Sequence, residues 1–199
     1  MKISAVVFDI GNVLIGWTPA QFFDAKIGAD RRRAFFDAVP ILAANAAIDR
    51  GSRFPDTIVQ LVDQHPDWEA EITLWHTCWL DMVSPVITRS VKLLRALRRQ
   101  GVPVFALSNF GAETFEIAKA RYPFLAEFDQ HYISGVMRIM KPDPEYMRRL
   151  SRAVVWRLRR CYLSMTCLKI SLRRLHEAGR CICLTGRKDG RIVWWLTGC

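Results

Sequence analysis

Three polar sites far apart in the chain carry residue types that suit action on one phosphate group. They are the carboxylate of Asp9, the hydroxyl and amide of Ser108-Asn109, and the amine of Lys141. A carboxylate nucleophile, neutral donors and a cation are what transfer of a phosphoryl group requires. Asp9 would attack phosphorus in line and form an aspartyl-phosphate, splitting one hard displacement into two. Ser108, backbone N–H groups and Lys141 would hold the charge on the equatorial oxygens. Each residue also has a plain reading. Asp9 can equally be a turn cap, Ser-Asn is a common turn pair, and Lys-Pro is commonly solvated surface. All three in order, each beside a strand end, make a stronger signal.

The elements that must position them follow from the apolar pattern. Ala5 to Phe8 is a short apolar run with β-branched members, ended by Asp9 and the turn formers Gly11-Asn12. This predicts a buried parallel strand presenting one carboxylate at its C-terminal end, where open α/β sheets bind their ligands. Val102 to Leu107 predicts a second strand ending at Ser108-Asn109, and His131–Ser134 a third. Between them, Ser84-Pro85 starts a helix with Ile87, Val91, Leu94 and Leu97 on one side, and another helix covers Ala112–Ala120. A further helix begins near Glu145, after Lys141-Pro142-Asp143-Pro144. The fold class is α/β, with strands and helices alternating around a parallel sheet.

The stretch 17–82 is aromatic-rich, mostly helical and too long for a crossover, which predicts a small lid. Thr18-Pro19 suits a helix start, Asp30 a second cap, and Asn45 to Gly51 a helix end with a glycine stop. Two more helices fall around Ile58–Val62 and Trp68–Met82. Trp68, Ile72, Trp75 and Trp79 form a stripe at helical spacing, which reads as bundle core. Trp17, Phe22, Phe23 and Trp75 are candidates for a substrate pocket, with core packing the competing reading.

The 199 residues divide sharply in composition. Residues 151–199 hold 11 Lys and Arg against 2 Asp and Glu, leaving 18 against 17 of the chain's 29 and 19 in the first 150. The same segment carries five of the six cysteines and none of the nine prolines. A boundary near Leu150 separates a near-neutral part from a basic tail rich in Cys, Arg and Trp. No apolar run approaches a membrane span, and Met1-Lys2 leads directly into the first strand, so the expectation is a cytoplasmic protein without a membrane partner.

Phe8-Asp-Ile-Gly-Asn-Val-Leu14, Leu107-Ser-Asn-Phe110 and Ile133-Ser-Gly with Met140-Lys-Pro-Asp143 together resemble the haloacid dehalogenase (HAD) superfamily of hydrolases. The resemblance implies a three-layer Rossmann-like core over 1–16 and 83–150 and a helical cap over 17–82 that closes over substrate. The Gly-Asn-Val wording and the Asn-Ala-Ala-Ile-Asp-Arg-Gly segment look most like the subgroup of sugar-phosphate phosphatases. The implied activity is Mg²⁺-dependent hydrolysis of a small phosphate ester, with dehalogenation of a 2-haloacid as the alternative. Asp9 would be nucleophile and, with Gly11, Mg²⁺ ligand. Ser108, Asn109, Gly11 and Asn12 would bind substrate, and Lys141 would orient nucleophile and phosphate.

Two features depart from that pattern. Most phosphatases of the family carry a general acid and base Asp two residues after the nucleophile, where this chain has Gly11. The family also completes its Mg²⁺ site with a later acidic pair, and after Leu150 only Glu177 and Asp189 occur. Weak or absent activity of this chain is therefore expected. The expectation is that the tail from about residue 151 is translated out of frame. With each codon taking the third base of one triplet and the first two of the next, Met165-Thr166 forces an Asp codon. Arg160 to Ser171 then becomes, with permitted codons, Leu-Leu-Phe-Ile-Asp-Asp-Val-Pro-Glu-Asn-Ile. A genuine basic extension is the alternative, with late strands lost or distorted in either case. His176, Cys181 and Cys183 match no common zinc spacing. Nucleic-acid stacking on Trp156, Trp194 and Trp195 is the remaining reading of the tail.

Overall fold

Three adjacent parallel strands form one side of the sheet in the computed structural model: β1 (Ile3–Phe8), β2 (Val104–Ser108) and β3 (Gln130–Ile133), in the order β3-β2-β1. Ala5 to Phe8 and all five residues of β2 are buried. The continuous apolar runs thus belong to strands covered on both faces. The structure describes residues 3–150 and Arg152, and the backbone of β4 (Lys169–Ile170), β5 (Cys181–Gly186) and β6 (Arg191–Thr197). Beyond β1 the sheet continues as β5, β6 and β4, with β5 reversed and β4 parallel to β6. β5 runs antiparallel to β1 and β6 antiparallel to β5. The frame-shifted re-reading, and the tail side chains invoked for zinc or nucleic acid, lie outside the described residues.

Six helices separate Asp9 from the crossover to β2: α1 (Pro19–Ile27), α2 (Ala29–Ala38), α3 (Ile41–Asp49), α4 (Phe54–Gln64), α5 (Glu69–Thr77) and α6 (Trp79–Met82). Their centre is aromatic. Phe23, Phe35 and Trp75 are fully buried, with the Phe23 ring stacked on Trp75 at 5.9 Å and tilted against Phe35 at 5.3 Å between centroids. Then α7 (Thr88–Arg99) leads into β2, α8 (Ala112–Arg121) joins β2 to β3, and α9 (Ser134–Met137) follows β3. A last helical stretch covers 144–150.

Three local expectations change. The single helix over Trp68–Met82 is broken at Cys78, so that Trp75 packs on Phe23 while Trp79 packs on Phe54 and Phe110. An unbroken helix would hold both indoles on one stripe, facing one neighbour. Asp30 is not a cap: α2 follows α1 directly, Gly28 takes the cap position, and Asp30 sits in the first turn beside Arg33. Ser84-Pro85 does not start α7. Pro85 and Val86 are drawn into extended pairing with the loop after β1: Gly16 N–H donates to the Pro85 carbonyl at 2.8 Å and Ile87 N–H to Leu14 at 2.8 Å.

Candidate active site

Asp9 follows the last residue of β1, and its two oxygens are held by residues from two other segments. Oδ1 accepts the Ile10 N–H at 2.8 Å and the Ser108 hydroxyl at 2.9 Å. Oδ2 pairs with the Lys141 ammonium. Ser108 ends β2, the strand beside β1, so the parallel register carries its side chain to the same end of the sheet. Lys141 arrives on the loop after α9, its ammonium 3.5 Å from the Leu107 carbonyl. The pair is partly open to solvent, with the side chains of Asp9 and Lys141 22% and 29% exposed. A carboxylate held in this way cannot rotate freely, yet it remains reachable.

Asn109 lines the cleft and is engaged by the backbone of Lys141. Its Oδ1 accepts the Lys141 N–H at 2.8 Å and its Nδ2 donates to the Lys141 carbonyl at 3.1 Å. Both ends of the amide therefore brace the lysine loop. Asn12 is similarly occupied: at φ 56° it turns the loop, and its Oδ1 accepts the Trp17 N–H at 2.9 Å. Asn tolerates this left-handed conformation better than most residues. Tyr146, fully buried, places its hydroxyl 2.6 Å from the Tyr132 carbonyl and 2.9 Å from that of Ser108. It thus ties the ends of β2 and β3 together. Burial, with the Asp9 charge second, pushes the phenol well above its ordinary range and keeps the proton on.

Asp9, Asn12, Ser108, Asn109 and Lys141 line a cleft of about 240 Å³, just under the usual range for drug-sized ligands and so suited to a small one. Its polar lining comes from Asp9, Asn12, Asn109 and Lys141, beside Gly11. Its apolar lining comes from Ile15, Trp17, Trp79, Val83 and Phe110. Trp17 touches both Trp75 at 5.9 Å and Trp79 at 6.2 Å, and Trp79 touches Phe110 at 5.6 Å. Of the pocket candidates Trp17, Phe22, Phe23 and Trp75, Trp17 alone reaches this cleft; the others pack into the helix cluster.

Two residues at the cleft were not anticipated. Asn45 and Asp49 project from α3, four residues apart and so on one helical face. Burial raises the Asp49 carboxyl to about 6, against the opposing effects of the Gly111 N–H and the Arg50 charge. The spacing of these two polar residues in a helix of alanines and isoleucines was the available signal. Its destination was not, because it depends on where α3 docks.

Mg²⁺ demands near-octahedral oxygen coordination. Asp9 and the Gly11 carbonyl would supply two donors, and Asp9 is already paired with Lys141. No group of three or more His, Cys, Asp or Glu suited to a metal occurs among the described residues. Asp9 and Gly11 are the expected Mg²⁺ donors that the described residues place at this cleft, and waters and phosphate oxygens would complete the shell. No helix among the described residues is long and apolar enough to cross a membrane.

No protein-family model matches the chain, and no curated protein does. Solved structures do. The HAD family enzyme BT-2542 of Bacteroides thetaiotaomicron, as wild-type protein in complex with magnesium and inorganic phosphate, aligns with a TM-score of 0.57 and 20% identity over 77% of this chain and 80% of that one. Another structure of that enzyme aligns at 0.54 and 16% identity, over 78% and 80%. L-2-haloacid dehalogenase from Xanthobacter autotrophicus gives 0.49 and 16%, over 76% and 65%. The chain has the fold of the HAD family enzymes, an open α/β sheet with helices inserted after its first strand.

Proposed function

We propose that this chain is a HAD-type hydrolase that releases phosphate from a small phosphate ester through an aspartyl-phosphate on Asp9. One observation carries the reading: a carboxylate, a hydroxyl and an ammonium from three separate segments meet at one end of the sheet, in a cleft of metabolite size. An Asp9 oxygen attacks phosphorus, the ester oxygen leaves, and water then cleaves the acyl phosphate. Ser108 and Lys141 fix the carboxylate's rotation and stand beside the oxygens of the arriving phosphate, where negative charge must be offset. The complex of BT-2542 with inorganic phosphate supports phosphate as the occupant of this kind of cleft. The helices over 17–82 act as the cap, with Trp17 and Trp79 excluding water from the reacting face.

Phosphate release from p-nitrophenyl phosphate and a panel of phosphorylated metabolites, with and without added Mg²⁺, tests the reading. Asp9→Asn should reduce turnover to background, since an amide cannot serve as the nucleophile. Unchanged turnover in that variant refutes the assignment. Halide release from 2-chloropropionate without any phosphate release would instead favour attack of Asp9 on carbon.

A further inference from the structure

We infer that Asp49 is the proton-transferring residue of this cleft, giving its proton to the departing ester oxygen and then taking one from the hydrolytic water. This deepens the phosphatase reading and rests on it. The displacement at Asp9 needs a partner of this kind. As the bond between Asp9 and phosphorus forms and the P–O ester bond breaks, the leaving oxygen must acquire a proton unless it departs as a stable anion. The second step needs a base to remove a proton from water, which returns the residue to its starting state.

The titratable side chains lining the cleft are Asp9, Asp49 and Lys141. Asp9 is the nucleophile, and Lys141 is its ion partner, held in place through Asn109. Tyr146 is buried behind Ser108 and donates to backbone carbonyls. Asp49 has no such prior commitment to Asp9. Its carboxylate contacts are the Asn45 amide at 3.3 Å and the Gly111 N–H.

The fold holds Asp49 in position from three sides. The Ser134 hydroxyl donates to the Asp49 carbonyl at 2.5 Å while accepting the Phe110 N–H at 2.9 Å, tying the end of α3 to the loop after β2. Gly111 permits that approach: a Cβ there would lie 2.5 Å from Ile48 Cγ2. Gly51, at φ 109°, lets the chain turn away immediately after the acid. Rigid placement by neighbouring elements is what a proton donor requires, because donor and acceptor must lie within hydrogen-bond reach at the moment of reaction.

The protonation state fits the role. The groups acting on Asp49 are the Arg50 charge and the Gly111 N–H, which favour ionisation, and the buried Tyr146 phenol, while the Asp9–Lys141 pair lines the same cleft. Burial outweighs the first two, and the carboxyl titrates near 6, where a group can both give and take a proton.

Asp49→Asn tests this, because the amide keeps the size and an oxygen for the Gly111 N–H. Turnover of an alkyl ester such as glycerol 2-phosphate should fall about 10²-fold or more, and at least tenfold more than turnover of p-nitrophenyl phosphate, whose phenolate leaves without a proton. The wild type's alkyl-ester activity should decline as pH rises through about 6, and the variant should lose that limb. Gly11→Asp in the Asp49→Asn background should restore alkyl-ester turnover in part, since a side chain at Gly11 meets nothing within 4 Å. Equal losses on both esters, or an unchanged pH limb, would overturn the role of Asp49 alone. Silence of the wild type on both esters would remove the phosphatase reading and this assignment with it.

Discussion

Asn109 lines the cleft and also braces its neighbour. It brackets the backbone of Lys141 from both sides, so the ammonium's position beside Asp9 depends on it. Asn109→Ala should leave the fold intact and lower kcat about 10²-fold with a smaller change in KM, because a displacement of about 1 Å at a reacting pair costs that much. Steady-state kinetics beside a thermal melt checks it; a change confined to KM would argue for direct substrate binding. Asp49 makes a second residue-scale prediction. Its carboxyl is raised from 3.8 to about 6 in the fold, so the charged form is the one the fold disfavours. Its contribution is fully present below about pH 4 and is lost as pH rises through 6, at most roughly 3 kcal/mol for two pKa units. Asp49→Asn should therefore flatten stability between pH 4 and 7, measured by urea unfolding. A variant with the same pH slope as the wild type would show that the slope arises elsewhere.

At the scale of elements, the inserted helices are fastened to the sheet by contacts that no single helix contains. α4 has no side-chain cap of its own at Arg53. The cap comes from α8, where Glu113 Oε2 accepts the Phe54 N–H at 2.6 Å. Glu113→Ala should cost about 1 kcal/mol, as loss of a helix cap does, while Glu113→Gln, which keeps an acceptor, should cost less. Matched thermal melts of the two variants decide it. Trp75 is the larger anchor, fully buried among Trp17, Phe23 and Phe36. Trp75→Ala should destabilise by about 3–5 kcal/mol, the range for deleting a buried aromatic. It should also loosen Trp17, which packs on Trp75 and walls the cleft.

Across the whole molecule, the strand of Asp9 lies between β2 and β5. Its partner on one side is therefore a strand from the basic tail, with Val6 opposite Cys183 and Val7 opposite Ile182. Ending the chain at Leu150 would leave β1 as a long apolar edge with unpaired backbone groups, the situation that promotes edge-to-edge association. The truncated chain should aggregate on expression. A monodisperse product melting with the full chain would show that β1 does not depend on β5. The same pairing bears on the tail's charge: salt-sensitive DNA binding is better tested by neutralising its arginines than by deleting it.

Much of this was legible in the sequence because strand ends are local signals. Asp9, Ser108 and Lys141 each stand beside the end of a strand or in a following loop, and parallel strands deliver such ends to one edge of a sheet. The helical insertion was legible for a similar reason, since apolar spacing of three and four needs only a few turns of chain to declare itself. Tertiary structure decided what depends on which faces meet. Asp49 became part of the cleft because Gly111 and Ser134 let α3 dock against the loop after β2. Asn109 became a brace because the Lys141 loop passes within hydrogen-bond reach. The helix over Trp68–Met82 is broken where its two indoles pack in different places, and β5 lies antiparallel on β1. Periodicity records that a residue is buried, whereas the neighbour it is buried against comes from contacts between distant segments.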